Sequence, residues 1–458
     1  MALEKLHDLR RWVGVDKPLF FILCGKVWTL FSGPISIYLI SRFFSPQEQG
    51  YFYTFNSVLA LQWFLELGFS TCIVQFASHE FAHLTFLPQG WIEGDARAKS
   101  RVVSVGRLAM QWYGVMAVLF VVGVGIGGHA FFSAKGATAV GWVLPWWLLC
   151  VATGFNLVLL PLWSLIEGAN RLSSLYGFRL VQGIVCSWAL WGALAGRLGL
   201  YSAALLAAIT AGLGVAYLFV FWRGLLSELL RPPAGETVSW RREIWPFQRR
   251  LAITWVSGYF VFNLFTPVLF YFHGPILAGQ MGMTWQLVNS LTMMAAAWTT
   301  SKSPRFGMLI SQRRYEELDH LFRISTLQAV GVSLAGGVVF LAAIIWLQVA
   351  GFSIGARFLP ASCVAVLLVA TVTNQVIFAQ GAYLRAHKQE PFMLLTVVSA
   401  LACLATIPLM GWAWGGWGVC LAYTATQVGI LPLGCWIWST RRREWHGLSS
   451  RGLGWTHC

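Results

Sequence analysis

The sequence predicts an all-α polytopic membrane protein with about twelve transmembrane helices, arranged as two six-helix lobes around a central cavity. Hydrophobic residues occupy 57% of the 458 positions and charged residues only 11%. That charged share is about half of the share in a typical soluble domain. Apolar stretches of about 18 residues or more recur along the whole chain, and each is long enough to form a spanning helix.

The positions of these stretches define the individual spans. We predict helices at 18–42, 51–77, 105–128, 140–165, 177–195, 200–222, 251–272, 278–300, 325–349, 361–384, 391–412 and 415–439. Tryptophans gather near predicted span ends, as in GWVLPWWLLC (141–150), which is typical of an interfacial aromatic belt. Small residues, as in GVGIGGHA (123–130), favour close helix packing.

The basic residues set the predicted orientation. The formal net charge is +15. With both termini in the cytoplasm, every Lys and Arg falls on the inner side except Lys26, Arg42, Lys135, Arg197 and Arg357. Because inner loops of membrane proteins carry this kind of basic excess, the charge predicts topology and no nucleic-acid partner. The expected location is a bacterial inner membrane, crossed many times.

A hydrophilic, Pro-containing stretch divides the chain. We predict that residues 223–250 form a cytoplasmic linker between an N-terminal lobe (1–222) and a C-terminal lobe (251–440). Residues 441–458 are predicted to form a cytoplasmic tail. The lobes share a weak repeat, because Pro46 and Gly50 match Pro275 and Gly279 at one offset of 229. Two parallel halves are typical of transporters that carry their path at the interface of the repeats.

Lys26 stands inside the first predicted span, and Glu66 lies at similar depth in the second. At 1.5 Å per residue, they are roughly 12 Å and 16 Å from the cytoplasmic face. Because consecutive antiparallel helices usually touch, we expect the two side chains to meet. Ser36 shares the helix face of Lys26, and Ser70 shares that of Glu66, by their three- and four-residue spacing.

Two interpretations of these charges stay open. In the structural one, Lys26 reaches the headgroups or forms a buried ion pair with Glu66. In the functional one, Lys26 lines a hydrated substrate cavity and Glu66 binds and releases H⁺ or Na⁺. Buried amides, among them Asn56 and Asn289, favour a hydrated centre, although such groups also simply bridge helices.

Further cations lie just inside the inner ends of the predicted spans. Topology alone explains them, but a basic vestibule for a phosphorylated substrate is the alternative. They are Arg107, Arg179, Arg250, Lys302 and Arg305.

The segment ASHEFAHL contains an HExxH pattern at His79, Glu80 and His83. On a helix, two histidines four residues apart bind zinc, with the glutamate as general base. Glu93 or Asp95 offers a third ligand. The segment leads into a basic loop at the membrane surface, however, so a surface helix facing water is the favoured interpretation. No metal and no cofactor is predicted, and the nine cysteines contain no CxxC pair.

Two stretches resemble a known family. ISRFFSPQEQGYFYTFNSVLALQWFLELGFSTCIVQFASHE (40–80) is similar to the opening helices of bacterial polysaccharide flippases, the Wzx-type O-antigen transporters of the multidrug/oligosaccharidyl-lipid/polysaccharide exporter superfamily. The matching features are Phe44-Ser45-Pro46-x-x-x-Gly50 and Glu66-Leu67-Gly68. GQMGMTWQLVNSLTMMAAAWTTSKSPRFGMLISQRRYEELDHL (279–321) resembles their eighth helix and following loop. The long loop Ser78–Ser104 departs from the short connection in that family.

The resemblance implies a flippase that works by alternating access. It implies a cargo of undecaprenyl-diphosphate-linked oligosaccharide for surface polysaccharide or lipopolysaccharide synthesis, with Lys26 and Arg179 near the diphosphate and Glu66 coupled to an ion gradient. The polysaccharide polymerase machinery is the expected partner, and no enzymatic activity is expected. The alternatives are a drug or metabolite exporter of the same superfamily, a membrane-embedded sugar polymerase or ligase, and an HExxH metalloprotease.

Overall fold

The computed structural model describes residues 17–135, 140–387 and 389–446. The chain divides into two compact units, Met1–Val256 and Ser257–Cys458. Residues 447–458, most of the predicted cytoplasmic tail, lie outside the described residues.

The first unit is a helical bundle that also holds one β-hairpin. Its helices are α1 (Lys17–Phe43), α2 (Pro46–Leu59), α3 (Gln62–Glu66), α4 (Phe69–Glu80), α5 (Ala96–Leu119), α6 (Gly125–Lys135), α7 (Val143–Gly168), α8 (Leu172–Ala195), α9 (Tyr201–Phe221) and α10 (Arg223–Leu230). Helix α11 (Trp245–Phe262) begins in this unit and ends in the next. A π-helical turn, Phe120–Val124, joins α5 to α6.

The second unit is helical throughout its described residues. After the end of α11 it contains α12 (Phe265–His273), α13 (Pro275–Thr300), α14 (Ser303–Ser311), α15 (Tyr315–Val349), α16 (Ala361–Ala386) and α17 (Met393–Trp445), with a 3₁₀ turn at Gly355–Arg357. Pro275 starts α13 as Pro46 starts α2. Proline suits the first helical turn because its missing N–H has no partner there in any case.

The described helices include 8 that are long and apolar enough to cross a membrane, or 10 if two bent pairs each count as one span. The bent pairs are Pro46–Glu66 with Phe69–His83 and Trp240–Phe262 with Phe265–His273. Helix α13, with 26 residues, is also long enough to cross. The prediction of an all-α polytopic membrane protein is therefore confirmed.

Helix α17 is two spans joined by a tight reversal. Its 53 residues would extend about 80 Å as one straight helix, more than twice the hydrocarbon thickness. The reversal occurs at Gly415, which has the non-helical angles φ 56° and ψ −134°. The chain then returns so closely that a Cβ on Gly418 would overlap the carbonyl oxygen of Met410. Each of the twelve predicted spans thus has a helical counterpart.

Small residues let aromatic rings pack inside the first unit. Trp146 is fully buried, and its indole Nε1 donates a hydrogen bond to the carbonyl of Gly125 at 3.0 Å. A side chain at Gly128 would overlap the same indole ring. The rings of Phe55 and Phe132 lie 5.0 Å and 5.2 Å from Trp146. The predicted close packing at these glycines is therefore observed, whereas Trp146 is a core residue and not part of an interfacial belt.

The loop between α4 and α5 forms a β-hairpin. Strands β1 (Leu84–Phe86) and β2 (Ile92–Gly94) pair antiparallel, with Phe86 opposite Ile92. The inward side chains of both strands are buried in one core with Trp222 and Leu225, which belong to the segment after α9. The HExxH segment, for which a surface helix facing water was expected, forms the end of α4 and a 3₁₀ turn, and the hairpin follows it because alternate strand residues find an apolar partner surface.

A polar cluster holds the C-terminal end of α17 to α15 and α16. The Tyr383 hydroxyl donates to Asp319 Oδ1 at 2.9 Å, and Arg442 Nε donates to Asp319 Oδ2 at 2.9 Å. Since the Tyr383 proton goes to Asp319, the contact of 3.0 Å to His446 Nε2 requires that His446 donates. His387 Nδ1 donates to the Tyr383 carbonyl at 3.1 Å. In the described part of the chain, each histidine has one ring nitrogen that is buried and has no hydrogen-bond partner, and such an environment favours the neutral imidazole.

We expect Gly418→Ala to destabilise the protein, because the added methyl group overlaps the Met410 carbonyl and the reversal has to open. The loss should be about 1–3 kcal/mol, the usual cost of overpacking. Gly429→Ala is the matched control, since a Cβ at Gly429 meets nothing within 4 Å. Thermal unfolding of both purified variants in detergent measures the difference, and equal melting temperatures would contradict the reversal.

We expect the C-terminal cluster to weaken in mild acid. Burial lowers the pKa of His387 and His446 below the usual histidine value. Unfolded histidine binds a proton near pH 6.5, whereas the folded residues stay neutral to lower pH. The stabilisation is therefore complete above about pH 6.5 and decreases as the pH falls through the histidine range.

The measurement is the melting temperature at about pH 7.5 and about pH 5.5. Replacing both histidines by Gln should reduce the acid-induced drop, whereas His320→Gln, at an exposed site on α15, should leave it unchanged. A drop of the same size in all three proteins would show that the cluster does not respond to pH.

Candidate functional site

The predicted second span is broken where Glu66 ends α3. Leu67 and Gly68 both adopt left-handed backbone angles, with φ of 50° and 67°, before α4 begins at Phe69. The two parts of the span meet at an angle of 49°. A Cβ on Gly68 would lie 2.9 Å from Leu251 Cβ and 3.1 Å from the Trp255 ring. Glycine is therefore required here both by its angle and by the close approach of α11.

Glu66 is buried at this break beside two hydroxyl groups. Its side chain is 6% exposed, and Oε1 accepts a hydrogen bond from Ser70 Oγ. The Tyr113 hydroxyl is fully buried beside Glu66 and Ser70. The Tyr113 ring is held in place by stacking on Phe69, with 6.0 Å between ring centroids.

No cation neutralises Glu66 among the residues that the structure describes. A buried carboxylate without a charge partner is costly, and binding of a proton or a small cation removes that cost. The break supplies further oxygens, because the last carbonyls of a helix have no intrahelical donor. The arrangement of Glu66, Ser70 and Tyr113 is thus chemically suited to bind H⁺ or Na⁺.

The expected pair of Lys26 and Glu66 is not formed. Helix α1 packs along α8, where Trp28 Nε1 donates to Ser187 Oγ at 3.1 Å and Trp191 Nε1 donates to Ser36 Oγ at 2.9 Å. The prediction was wrong because sequence neighbours were assumed to touch, whereas these Trp–Ser pairs select α8 as the partner. Ser36 therefore faces α8 and does not share a surface with Lys26.

Lys26 lies on the open face of α1. It is exposed and has no hydrogen bond or ion pair within the described residues. It precedes Trp28 by two residues, which places it about 160° around the helix from the contact with α8. Apolar side chains flank it, including Val27, which is 53% exposed. Its predicted role in a substrate cavity stays a prediction.

Arg179 rests on an aromatic surface formed by α7, α8 and α9. Its guanidinium lies 5.0 Å from the Trp163 ring centroid, and Nη1 donates to Gln182 Oε1 at 3.3 Å. Phe178 stacks on Trp163 and on Tyr217, at 5.4 Å and 4.2 Å, and the Trp163 and Tyr217 rings are 6.0 Å apart. Arg179 is exposed, so a partly fixed guanidinium is presented at the surface of this unit, where it could bind an anion.

The pairing of α1 with α8 brings Lys26 and Arg179 to similar depth. The Phe21 ring lies 3.5 Å from the position of a Cβ on Gly177, and Trp28 contacts Ser187 further along, so the two helices run parallel. Lys26 follows Phe21 by five residues and Arg179 follows Gly177 by two. Counted from the first contact their depths differ by about 5 Å, and counted from the contact of Trp28 with Ser187 by about 9 Å.

The two predicted asparagines occupy separate units. Asn56 is exposed on α2, and its Nδ2 donates to the Phe52 carbonyl at 2.9 Å. Asn289 is exposed on α13 in the second unit. Within the first unit, the structure brings Glu66 together with Ser70 and Tyr113, and Arg179 together with Trp163. Asn56 joins neither group.

The HExxH residues do not converge on a metal. His79 lies on α4 and His83 in a 3₁₀ turn after the helix has ended, and both are exposed. Glu80 Oε1 accepts a hydrogen bond from Arg101 Nε at 2.8 Å. Asp95 caps α5 by accepting from the amide of Ala98 at 2.8 Å. In residues 17–135, 140–387 and 389–446, no group of three His, Cys, Asp or Glu side chains could hold a metal ion.

Arg101 joins three carboxylates, which the sequence did not predict. Besides Glu80, its Nη1 donates to Glu236 and its Nη2 to Glu243, each at 2.7 Å. Arg97 also pairs with Glu236. The available signal was Glu236 and Glu243, seven residues apart in a linker that also contains Glu228. The cluster fastens the segment before α11 to the start of α5.

The fold is similar to those of solved transporters. A MATE-family multidrug resistance transporter of the MOP superfamily, in an inward-facing conformation, aligns over 94% of this chain and 96% of its own, with a TM-score of 0.55 and 16% identity. The lipid II flippase MurJ, in an inward closed conformation, aligns over 92% and 87%, with a TM-score of 0.63 and 11% identity. The eukaryotic MATE transporter AtDTX14 aligns over 96% and 99%, with a TM-score of 0.59 and 13% identity.

These likenesses establish the fold across nearly the whole chain. No protein-family model matches the sequence, and no curated protein matches it.

We expect Arg101→Gln to destabilise the first unit, because three carboxylates then lose their shared cation. Arg101 is 17% exposed, and the loss should be about 2–3 kcal/mol, below the cost of breaking a fully buried pair. Arg97→Gln is the control, since Arg97 is 72% exposed and exposed ion pairs contribute little to stability. Thermal unfolding compares the two, and equal losses would contradict the bridging role.

Proposed function

We propose that this protein is a transporter of the multidrug/oligosaccharidyl-lipid/polysaccharide exporter superfamily, working by alternating access in a bacterial inner membrane, with both termini in the cytoplasm. Its cargo is an undecaprenyl-diphosphate-linked oligosaccharide for surface polysaccharide or lipopolysaccharide synthesis. The observation that carries the proposal is the fold, which aligns over more than nine-tenths of the chain with a lipid flippase and with MATE exporters.

The chemistry of the cargo is proposed from the cations of the first unit. Lys26 has no described partner, and Arg179 lies on an aromatic surface at similar depth. A diphosphate headgroup binds such groups through charge-assisted hydrogen bonds. Asn56 and Asn289 are exposed amides that suit hydroxyl-rich sugars. Arg179 also lies within electrostatic range of Glu167, so Lys26 is the better candidate for an unshared positive charge.

Coupling to an ion gradient is proposed at Glu66. The carboxylate is buried, hydrogen-bonded to Ser70 and without a described cation. Binding of H⁺ or Na⁺ changes the charge at a break in the second span, where the backbone already departs from helical geometry. Discontinuous membrane helices are frequent sites of coupling ions in transporters.

A second candidate is an exporter of drugs or metabolites. It is favoured by the likeness to a multidrug resistance transporter. Cationic drugs need an acidic path, and Lys26 and Arg179 oppose that requirement. Enzymatic readings have less support, because Glu80 of the HExxH pattern is occupied by Arg101 and the fold is shared with transporters.

The test is a complementation assay in cells whose surface polysaccharide depends on this protein. We expect Lys26→Ala to lower the surface polysaccharide about tenfold or more, the loss expected for one hydrogen bond to a charged group, and Lys26→Arg to retain activity. Glu66→Gln should also lower the surface polysaccharide, because coupling to the ion gradient is lost. The matched controls are Lys17→Ala on the same helix and Glu93→Gln on the hairpin, both exposed.

Full activity of Lys26→Ala and Glu66→Gln at normal abundance would refute the assigned roles. If deletion leaves the polysaccharide unchanged but raises sensitivity to cationic dyes, the drug-exporter function replaces the flippase function.

A further inference from the structure

The β-hairpin lies at the level where two spans of the first unit end. Its turn packs on Trp222, one residue after the candidate span Tyr201–Phe221, and on α10, which follows directly. Arg171, three residues after the end of the candidate span Val143–Gly168, donates through Nη2 to the Phe86 carbonyl at 2.9 Å. The hairpin therefore stands beside the headgroup layer, where the hydrocarbon ends.

The hairpin is a fixed platform. A Cβ on Gly90 would lie 2.9 Å from the Trp222 ring, and a Cβ on Gly224 would lie 2.6 Å from the Trp91 amide nitrogen. The turn and the start of α10 are thus in direct backbone contact. Phe86 is buried against Trp222, with ring centroids 4.9 Å apart. Side chains that contact this turn are therefore held at defined positions relative to one another.

Three arginines surround the turn without a carboxylate partner. Arg171 reaches the Phe86 carbonyl, Arg223 Nε donates to Gln89 Oε1 at 2.6 Å, and the Arg231 guanidinium lies 5.9 Å from the Trp91 ring centroid. All three are exposed, and in the described part of the chain none forms an ion pair. Their positive charge is therefore oriented but not neutralised.

On the other side of the same loop, the basic side chains form ion pairs with acids. There Lys99 pairs with Glu228 at 2.7 Å, and Arg101 pairs with Glu80, Glu236 and Glu243. Acids thus form ion pairs with the basic residues at one side of the hairpin, whereas in the described part of the chain none forms an ion pair with the arginines at its turn. Positive charge left unpaired on a rigid turn at the headgroup level matches the negative phosphates of a lipid surface.

Two exposed apolar side chains adjoin the arginines. Leu87 at the turn is 44% exposed, and Leu230 at the end of α10 is 82% exposed. Apolar side chains next to cations are typical of surfaces that sit in a membrane interface, where one part meets acyl chains and the other meets phosphate.

We propose that the turn of the β-hairpin, with Arg171, Arg223 and Arg231, is a binding site for the phosphate of an anionic phospholipid headgroup. The guanidinium groups donate hydrogen bonds to the phosphate oxygens, and Leu87 and Leu230 contact the adjoining hydrocarbon. The site fastens the hairpin to the bilayer surface. It is separate from Lys26 and Glu66.

The test uses the purified full-length protein in detergent, titrated with phosphatidylglycerol or with zwitterionic phosphatidylcholine, with bound lipid counted by native mass spectrometry. The wild type should retain phosphatidylglycerol in preference to phosphatidylcholine. The triple variant Arg171→Gln, Arg223→Gln and Arg231→Gln should lose affinity roughly fivefold for each arginine, and on the order of a hundredfold in total.

The control variant also loses three positive charges, but at a different part of the first unit. Arg241, Arg242 and Arg249 are exposed and have no described ion pair, and their replacement by Gln should leave phosphatidylglycerol binding near the wild-type level. Melting temperatures of both triple variants verify that they are folded. Should the hairpin variant unfold, single Gln replacements are titrated instead, and each should weaken binding.

Three outcomes would overturn the proposal. Equal losses in both triple variants would show a diffuse charge effect, and unchanged binding in the hairpin variant would exclude the arginines. Inorganic diphosphate that binds the wild type at these arginines, while phosphatidylglycerol does not, would assign the site to a soluble or cargo phosphate.

Discussion

The structure depends on the cost of leaving a polar group unsatisfied inside hydrocarbon. A spanning helix pairs its own backbone groups, so any interruption of a span must be covered by neighbouring protein. The interruption at Leu67 and Gly68 meets this requirement, because Leu251 and Trp255 of α11 pack directly onto Gly68. The same packing excludes lipid from Glu66, so a backbone irregularity and a buried carboxylate share one protected place.

The arginines around the loop between α4 and α5 have two kinds of partner, carboxylates in one place and neutral groups in the other. Arg101 is neutralised by three carboxylates drawn from the end of α4 and from the segment before α11. The arginines at the hairpin turn are held by a carbonyl, an amide and an aromatic ring, none of which carries a compensating charge. The first arrangement connects protein segments, and the second leaves positive charge available to something outside the described chain.

The spans could be predicted from sequence because hydrophobic length is a direct requirement of the bilayer. All twelve predicted spans have helices, including both parts of α17, where Gly415 marks the reversal. The HExxH pattern could be disfavoured as a metal site from its context, and in the described residues Glu80 instead accepts a hydrogen bond from Arg101. Boundaries were less accurate, as α5 begins at Ala96 and not near residue 105, since an N-cap such as Asp95 extends a helix beyond its apolar part.

The candidate site was harder to predict, because it depends on which helices pack together. Glu66 was identified from its burial in an apolar stretch, but Tyr113 was not, since it lies 47 positions later in the chain. The contact between Lys26 and Glu66 was expected from adjacency and is replaced by Trp–Ser hydrogen bonds from α1 to α8. The hairpin was missed because its strands have three residues each, too few to show an alternating pattern.

The docking of the hairpin onto Trp222 also constrains how the first unit is made. Residues 84–94 leave the ribosome long before their partner surface, and the bond from Arg223 to Gln89 spans 134 positions. During synthesis the strands can contact earlier residues of their core, such as Phe81, but Trp222 and Leu225 join that core only after the span that precedes Trp222 has been inserted. An isolated two-stranded hairpin is marginally stable at best in water. Completion of this part of the core is therefore a late, long-range event in biogenesis, and a nascent chain that stops before Trp222 lacks the ring against which Phe86 packs.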